Sequence, residues 1–158
     1  MKVVVISGYF NPIHIGHIDY IQEARKLGDK LIVIVNNDEQ VKIKKSIPFM
    51  SDHDRIVIVK NIVGVDIATL SIDVDATVCK TLKREYDYHC QDYFFDEMIF
   101  ANGGDRGNGH VPEEDLCNEL GIRMVYNVGG EKTESSSSLI KKFNSNSSII
   151  ETSKIRGL

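Results

Sequence analysis

The feature that most constrains this fold is a strand, a short loop and a helix that follow one another at the beginning of the chain. The apolar run Val3–Ile6 predicts a short buried strand. The residues that follow the loop repeat at helical spacing: Ile18, Ile21, Ala24 and Leu27. The segment Gly8–His17 therefore joins a first strand to a first helix, and in an open α/β sheet such a junction lies where ligands bind.

Two histidines flank a glycine where this helix begins. His14 and His17 lie on either side of Gly16, which has no side chain and lets a phosphate or a sugar approach the backbone. Each imidazole can donate a hydrogen bond to a phosphate oxygen or carry a positive charge. The helix N-terminus adds free N–H groups and the positive end of its dipole. One histidine there is usually a cap or a solvated residue, but the pair predicts a site for several phosphates.

A run of four serines predicts a second phosphate-binding element. Ser135–Ser138 precede Leu139, Ile140 and Phe143, which recur at helical spacing. Hydroxyl and N–H groups at the start of a helix can bind β- and γ-phosphate oxygens. Serine runs are more often linkers, but the apolar residues that follow favour a helix start here.

Three further segments supply candidate site residues. Lys44 lies in a polar loop after the second predicted strand, where a solvated basic loop is the usual alternative. Arg55 lies one turn into a helix and could equally form an ordinary salt bridge. After the fourth strand, Gly103 lets backbone approach a ligand, Asp105 could contact a base or ribose, and Arg106 could hold an acceptor phosphate; a flexible loop is the alternative.

The chain alternates between predicted strands and helices. The strands lie near residues 2–7, 30–36, 66–71, 97–101 and 122–127, and the helices near 17–27, 52–64, 74–86, 112–120 and 137–143. Ser51 begins one helix and Gly121 ends another. This order predicts an α/β fold, a Rossmann-like, doubly wound, five-stranded parallel sheet with helices on both faces. We expect one domain over 1–143 and a mobile or loosely docked Ser/Asn-rich tail over 144–158.

Composition excludes several other classes of function. A chain of 158 residues suits one domain, and its 19 basic against 23 acidic residues argue against a broad nucleic-acid-binding surface. Cys79, Cys90 and Cys117 lack metal-ligand spacing, and their odd number favours reduced thiols in a cytoplasmic setting. No apolar run is long enough to span a membrane, and the immediate first strand leaves no room for a targeting segment.

The segment Gly8–His17 resembles the His-x-Gly-His signature of the cytidylyltransferase-like nucleotidylyltransferases. Glu23–Val33 is similar to the helix and second strand of glycerol-3-phosphate cytidylyltransferase and of the heptose-phosphate adenylyltransferases, and Lys44 and Arg55 fall where the former has its lysine and arginine. Ser136–Ile140 resembles the second family signature, which holds the triphosphate. The resemblance is weak over 67–95 and absent after residue 143.

This chain departs from the family pattern at three places. Tyr9 replaces a threonine or serine that commonly touches the phosphates, and Asn11 replaces the aspartate of the most similar subfamilies. Lys132–Ser135 stands where the glycerol-phosphate enzyme has Arg-Thr-Glu-Gly. The sequence Phe10–His14 is similar to the corresponding segment of nicotinate-mononucleotide adenylyltransferases, whereas Gly103–Asp105 resembles a segment of the heptose-phosphate adenylyltransferases.

The resemblance implies an enzyme that transfers a nucleoside monophosphate to a small phosphorylated acceptor and releases pyrophosphate. CTP with a glycerol-3-phosphate-like polyol or sugar phosphate is slightly favoured over ATP with a heptose phosphate, and a non-catalytic nucleotide-binding module is the further alternative. Mg²⁺ would be held mainly by the substrate phosphates, and a homodimer is expected. The implied catalytic residues are His14, His17 and Lys44; the nucleotide contacts are Gly8, Tyr9, Phe10, Gly16, Gly103, Asp105, Ser136, Ser137 and Ser138; the acceptor contacts are Asn11, Arg55 and Arg106.

Overall fold

The computed structural model describes residues 1–104, 110–130 and 135–156, with residues 147–156 described by their backbone alone. Its strands are β1 Lys2–Gly8, β2 Lys30–Val35, β3 Ile67–Leu70, β4 Glu97–Gly103 and β5 Arg123–Val128. Its helices are α1 Ile15–Arg25, α2 Asp38–Ile43, α3 Asp52–Lys60, α4 Cys79–His89, α5 Glu114–Leu120 and α6 Ser136–Arg156. Apart from the additional helix α2, the alternation of strand and helix is the one that the sequence predicts.

The five strands form one parallel sheet with the order β3-β2-β1-β4-β5. The central strand β1 pairs on both sides, with Val3 opposite Lys30 on β2 and opposite Met98 on β4. The chain builds the sheet outward from β1 to β3 and then returns to add β4 on the other side. The strand order therefore reverses between β1 and β4, which is the place where such sheets bind ligands. The predicted fold class is confirmed.

Both faces of the sheet are covered, which explains why the first strand is apolar without alternation. Val4 and Ile6 pack with Ile21 of α1 and Val59 of α3 on one face. The intervening residues of β1 pack on the other face with residues of α4 and α5, including Leu82 and Cys117. Burial raises the pKa of the Cys117 thiol to about 12. All three cysteines of the chain are free thiols.

Helix α2 lies in a segment that the sequence predicts to be a polar loop. Asn37 caps its start by accepting the N–H of Gln40, and the Gln40 side chain is fully buried. That amide donates to the carbonyl oxygens of Asp75 and Thr77, so a polar residue, rather than an apolar stripe, anchors this helix. The predicted helix start at Ser51 is confirmed by its side-chain cap.

The last helix is longer than the sequence predicts. We expect a helix near 137–143 followed by a separate tail, whereas α6 continues without a break to Arg156. The segment contains neither glycine nor proline, and serine and asparagine are only moderately unfavourable in a helix. The predicted helix end at residue 143 is therefore wrong. The predicted end at Gly121 is confirmed by its left-handed conformation after α5.

None of the helices in the described ranges combines the length and the apolar character needed to cross a membrane.

We predict that Gly28→Ala destabilises the fold, because the turn from α1 into β2 packs directly against β1. An added Cβ would lie 2.7 Å from the Val4 Cγ2 and 2.8 Å from the Lys2 carbonyl oxygen, and that backbone belongs to a paired strand. We expect urea denaturation to show a loss of about 1–3 kcal/mol in the free energy of unfolding. Gly103→Ala is the matched control, since its Cβ would meet Tyr20 at 4.0 Å. Equal stability of the two variants would contradict this account.

Candidate active site

A cavity of about 440 Å³ lies at the carboxyl edge of the sheet, where the strand order reverses. Gly8 and Gly103, the last residues of β1 and β4, lie on its wall together with the beginnings of α1 and α6. Both glycines are among the predicted nucleotide contacts. The structure therefore brings the two predicted phosphate-binding elements, which are far apart in the sequence, to one cavity.

The two histidines of the signature form the cap of α1. The His14 Nδ1 accepts the N–H of Gly16, and the His17 Nδ1 accepts the N–H of His14, each at 3.1 Å. The centroids of the two rings are 3.9 Å apart, and both side chains line the cavity. Because each Nδ1 accepts a backbone hydrogen bond, the neutral ring carries its proton on Nε2. The geometry thus makes each histidine an Nε2–H donor.

Phe10 supports this histidine pair from the core. Its side chain is buried, and its ring centroid lies 4.8 Å from that of His17. A Cβ at Gly8 would lie only 2.9 Å from the Phe10 ring, which explains why glycine ends β1. Phe10 is not among the residues that line the cavity. The Phe10 side chain therefore packs inside the protein, and the predicted nucleotide contact of this residue stays a prediction.

Arg55 is buried inside the wall of the cavity rather than exposed on it. Its Nη1 donates to the carbonyl oxygens of Tyr9 and Asn36 at 2.6 and 2.7 Å. Its Nε donates to the Met50 carbonyl oxygen, and its Nη2 donates to the Asp38 carboxylate at 2.7 Å. All three nitrogens of the guanidinium therefore bond to protein groups. In this structure Arg55 fixes the loops that shape the site, and its predicted acceptor contact stays a prediction.

Asn11 makes a second internal link beside the cavity. Its Nδ2 donates to the Ile47 carbonyl oxygen at 2.9 Å, and its Oδ1 accepts the Phe49 N–H at 2.5 Å. The residue lines the cavity, as predicted for an acceptor contact, but both ends of its amide hold the loop before α3. Since an aspartate has no N–H to donate to Ile47, the loop contact explains asparagine at this position.

Lys44 contributes a cation to the cavity. It ends α2, and its ammonium lies 4.1 Å from the centroid of the Tyr9 ring, in cation–π contact. Both residues line the cavity. The predicted lysine therefore lines the same cavity as the two histidines, beside an aromatic ring at a position where the family commonly has a hydroxyl.

The serine run begins α6 and is joined to the histidine loop. Ser136 and Ser137 line the cavity, and the Ser136 hydroxyl donates to the Pro12 carbonyl oxygen at 2.9 Å. Ser135 and Ser138 cap each other, because each backbone N–H bonds to the other hydroxyl. Ser138 is not among the lining residues and takes part in this cap, and its predicted nucleotide contact stays a prediction.

Two pairs of glycines contribute backbone to the cavity wall. Gly103 ends β4 and Gly104 follows it, and Gly129 and Gly130 follow β5. Gly129 has a φ of +87°, and a Cβ there would lie 3.2 Å from the Tyr20 Cα. Sequence analysis missed this second glycine pair, although two glycines after a predicted strand are a signal for close backbone approach. The predicted contacts Asp105 and Arg106, and the segment 132–134, lie outside the described residues.

The cavity lining also includes the polar side chains of Tyr20, Asn102 and Asp19. The Tyr20 hydroxyl donates to the Ala101 carbonyl oxygen at 2.5 Å. The neighbouring Asn102 lines the cavity, and its buried Nδ2 makes no hydrogen bond to the described residues. Asp19 supplies the one carboxylate of the described lining. In the described ranges, no group of three or more His, Cys, Asp or Glu side chains could hold a metal ion.

The chain is similar to known proteins in both sequence and fold. A family model described as cytidylyltransferase-like matches residues 5–156, which confirms the resemblance seen in the sequence. The chain is 37% identical over 127 residues to the bifunctional protein HldE of Desulfatibacillum aliphaticivorans, covering 78% of this chain and 23% of that protein. It is 34% identical over 112 residues to the bifunctional protein HldE of Haemophilus influenzae (strain PittEE), covering 66% and 24%.

The chain thus spans about a quarter of the length of these curated relatives. Among solved structures, it is similar to the crystal structure of the lipopolysaccharide core biosynthesis protein from Thermoplasma volcanium GSS1, with a TM-score of 0.64 and 28% identity. That match covers 85% of this chain and 99% of the other. The two proteins therefore share their fold over nearly the whole length of the latter.

We predict that Arg55→Met destabilises the protein, because it leaves the Asp38 carboxylate and three carbonyl oxygens without their donor. Urea denaturation should show a loss of ~3–5 kcal/mol. Arg123→Met is the matched control, since that arginine forms an exposed pair with Glu97, and it should cost about 1 kcal/mol or less. A stable Arg55→Met protein that has lost only acceptor affinity would contradict the internal role.

Proposed function

This chain belongs to the cytidylyltransferase-like family, and we propose that it is a nucleotidylyltransferase that joins a nucleoside monophosphate to a small phosphorylated acceptor and releases pyrophosphate. The observation that carries the proposal is the histidine cap of α1. Two neighbouring imidazoles, each with its Nδ1 bound to backbone, line a cavity at the reversal point of the sheet. Such an arrangement suits the phosphates of a nucleoside triphosphate.

The two sides of the cavity suit the two ends of that substrate. Lys44, the histidines and the start of α6 supply a cation, ring N–H donors and a helix N-terminus for the phosphates. The glycine pairs after β4 and β5 leave room for the nucleoside, because backbone can approach a flat base or a ribose closely. The Ser136 hydrogen bond to Pro12 joins the two phosphate-binding elements.

The reaction needs positioning more than proton transfer. An oxygen of the acceptor phosphate attacks the α-phosphorus in line, a new O–P bond forms, and the bond from that phosphorus to the bridging oxygen of pyrophosphate breaks. Because the nucleophile is already an anion, no general base is required. We propose that His14 and His17 donate from Nε2 to the α-phosphate as charge develops there, while Lys44 and the α6 N-terminus hold the β- and γ-phosphates.

We propose that Mg²⁺ is held mainly by the substrate phosphates. Asp19 is the one carboxylate in the described lining, and Mg²⁺ in such sites is usually held by substrate phosphates together with one or two carboxylates. When bound, the ion would neutralise charge on the phosphate oxygens. We propose that the protein itself contributes the ring N–H, ammonium and backbone donors.

Among acceptors and nucleotides, ATP with a sugar phosphate now has more support than CTP with glycerol phosphate. The relatives are named HldE, and the similar crystal structure is of a lipopolysaccharide core biosynthesis protein, a name that points to sugar chemistry. These names agree with the resemblance of Gly103–Asp105 to heptose-phosphate adenylyltransferases. The resemblance to glycerol-3-phosphate cytidylyltransferase, which favours CTP, depends partly on Arg55, and the side chain of this residue is buried. We therefore propose a sugar-phosphate adenylyltransferase, and specifically one that uses a heptose phosphate.

One observation still favours the cytidylyltransferase alternative. The interval from His14 to Lys44 matches that of glycerol-3-phosphate cytidylyltransferase, and both residues line the cavity. The choice between the two nucleotides depends on contacts to the base, which the backbone of the glycine-lined side would make.

A pyrophosphate-release assay tests the proposal. Purified full-length chain with Mg²⁺ is given ATP or CTP, each paired with heptose 1-phosphate, glycerol 3-phosphate or ribitol 5-phosphate. We expect turnover with ATP and heptose phosphate. Turnover with only CTP and glycerol phosphate would support the alternative. Absence of turnover with every pair, together with no nucleotide-dependent rise in melting temperature, would overturn the enzyme proposal.

We predict that His17→Asn lowers kcat by about 10²- to 10³-fold, because the variant loses the Nε2–H donor. The asparagine oxygen can still accept the His14 N–H, so the start of α1 should remain folded. His53→Asn, which changes an exposed histidine in α3, is the matched control and should be as active as the wild type. Circular dichroism and melting temperature check the folding of both variants. A folded His17→Asn protein with nearly unchanged kcat would exclude the proposed role.

A further inference from the structure

Lys44 and Tyr9 form a contact that the proposed chemistry does not by itself explain. The ammonium of Lys44 lies over the face of the Tyr9 ring, 4.1 Å from its centroid. Both side chains line the cavity. A tyrosine is unusual at this position, where the family commonly has a small hydroxyl residue that touches phosphate. The ring therefore offers the lysine a surface that threonine or serine could not.

The backbones of both residues are fixed by buried groups. The Tyr9 carbonyl oxygen accepts from the buried Arg55 guanidinium at 2.6 Å. Lys44 ends α2, where its backbone N–H donates to the carbonyl oxygen of Gln40, a residue that is itself fully buried. The ring and the base of the lysine stem are thus held on two elements that Arg55 also joins, through Tyr9 and Asp38.

We infer that Tyr9 is a positioning residue that holds the Lys44 ammonium in the cavity, ready for the leaving phosphates. The negative face of an aromatic ring attracts a cation and restricts it to one side of the ring. A lysine stem has four rotatable carbons and loses much rotamer entropy when it is ordered. A lysine that is already ordered over Tyr9 loses less on binding a polyphosphate, so affinity should depend on the ring and not on its hydroxyl.

This inference rests on the proposed function for what the lysine does, but the contact itself can be tested without turnover. The lysines are methylated with ¹³C-formaldehyde under reducing conditions, which retains their charge, and their methyl signals are recorded by NMR. Comparison with Lys44→Met assigns the Lys44 signal. Protons over a ring face are shifted upfield, so we expect an upfield Lys44 signal in the wild type and in Tyr9→Phe, and none in Tyr9→Leu.

A double-mutant cycle then tests whether the contact acts on ligand binding. Inorganic triphosphate is titrated calorimetrically into wild type, Tyr9→Leu, Lys44→Met and the double variant. We expect Tyr9→Leu to weaken binding by about threefold to tenfold, and Tyr9→Phe to restore it. In the Lys44→Met background, the same Tyr9→Leu change should have little further effect, because residues that act as a unit are not additive. Tyr88→Leu, an exposed tyrosine of α4, controls for loss of a tyrosine as such.

The outcomes separate this inference from the proposed function. An unshifted Lys44 signal in the wild type would overturn the inference, as would equal effects of Tyr9→Leu with and without Lys44. Loss of binding in Tyr9→Phe equal to that in Tyr9→Leu would also overturn it, since the hydroxyl would then be the group that matters. An upfield Lys44 signal in a protein that binds no triphosphate would support the contact and count against the proposed function instead.

Discussion

The hydrogen bonds of one buried guanidinium hold the loops after β1 and β2 and the segment before α3 in a fixed relation. Arg55 reaches Tyr9 on the first of these, Asn36 and Asp38 on the second, and Met50 on the third. A charge in the interior is stable only when its hydrogen bonds are all made. Arg55 can therefore be buried only when these loops are in place. The same hydrogen bonds fix Tyr9 and the start of α2, and so they also set the positions of Tyr9 and Lys44 at the cavity.

This arrangement gives the cavity two unlike sides. One side depends on Arg55 and Asn11, which hold the loops that carry the proposed phosphate-binding groups, and on the histidine cap of α1. The other side depends on glycines after β4 and β5, where backbone takes the place of side chains. The reversal of strand order between β1 and β4 separates the two sides. We propose on this basis that the site binds a long, polyanionic substrate with a flat end rather than a compact one.

The sequence correctly predicts those helices, strands and caps that depend on interactions between residues close together in the chain. Apolar runs, helical spacing, the cap at Ser51 and the left-handed Gly121 depend on near neighbours, and the structure agrees with them. The position after the second strand and the family resemblance pointed to Lys44, and this residue lines the cavity. The sequence does not show which groups a polar side chain will bond to when those groups are distant in the chain. The hydrogen-bond partners of Arg55, for example, lie up to 46 residues away. The short helix α2 was missed for the same reason, since its anchor is the buried amide of Gln40.

A crystal structure of the protein with a non-hydrolysable ATP analogue and heptose 1-phosphate would test the proposed binding mode most directly. We expect the α-phosphate within hydrogen-bonding distance of the Nε2 atoms of His14 and His17. The terminal phosphates should lie at Lys44 and the start of α6, and the base should lie against the glycines at the ends of β4 and β5. Arg55 should remain bonded to the loops. A nucleotide bound elsewhere, or an Arg55 side chain turned toward the acceptor, would contradict it.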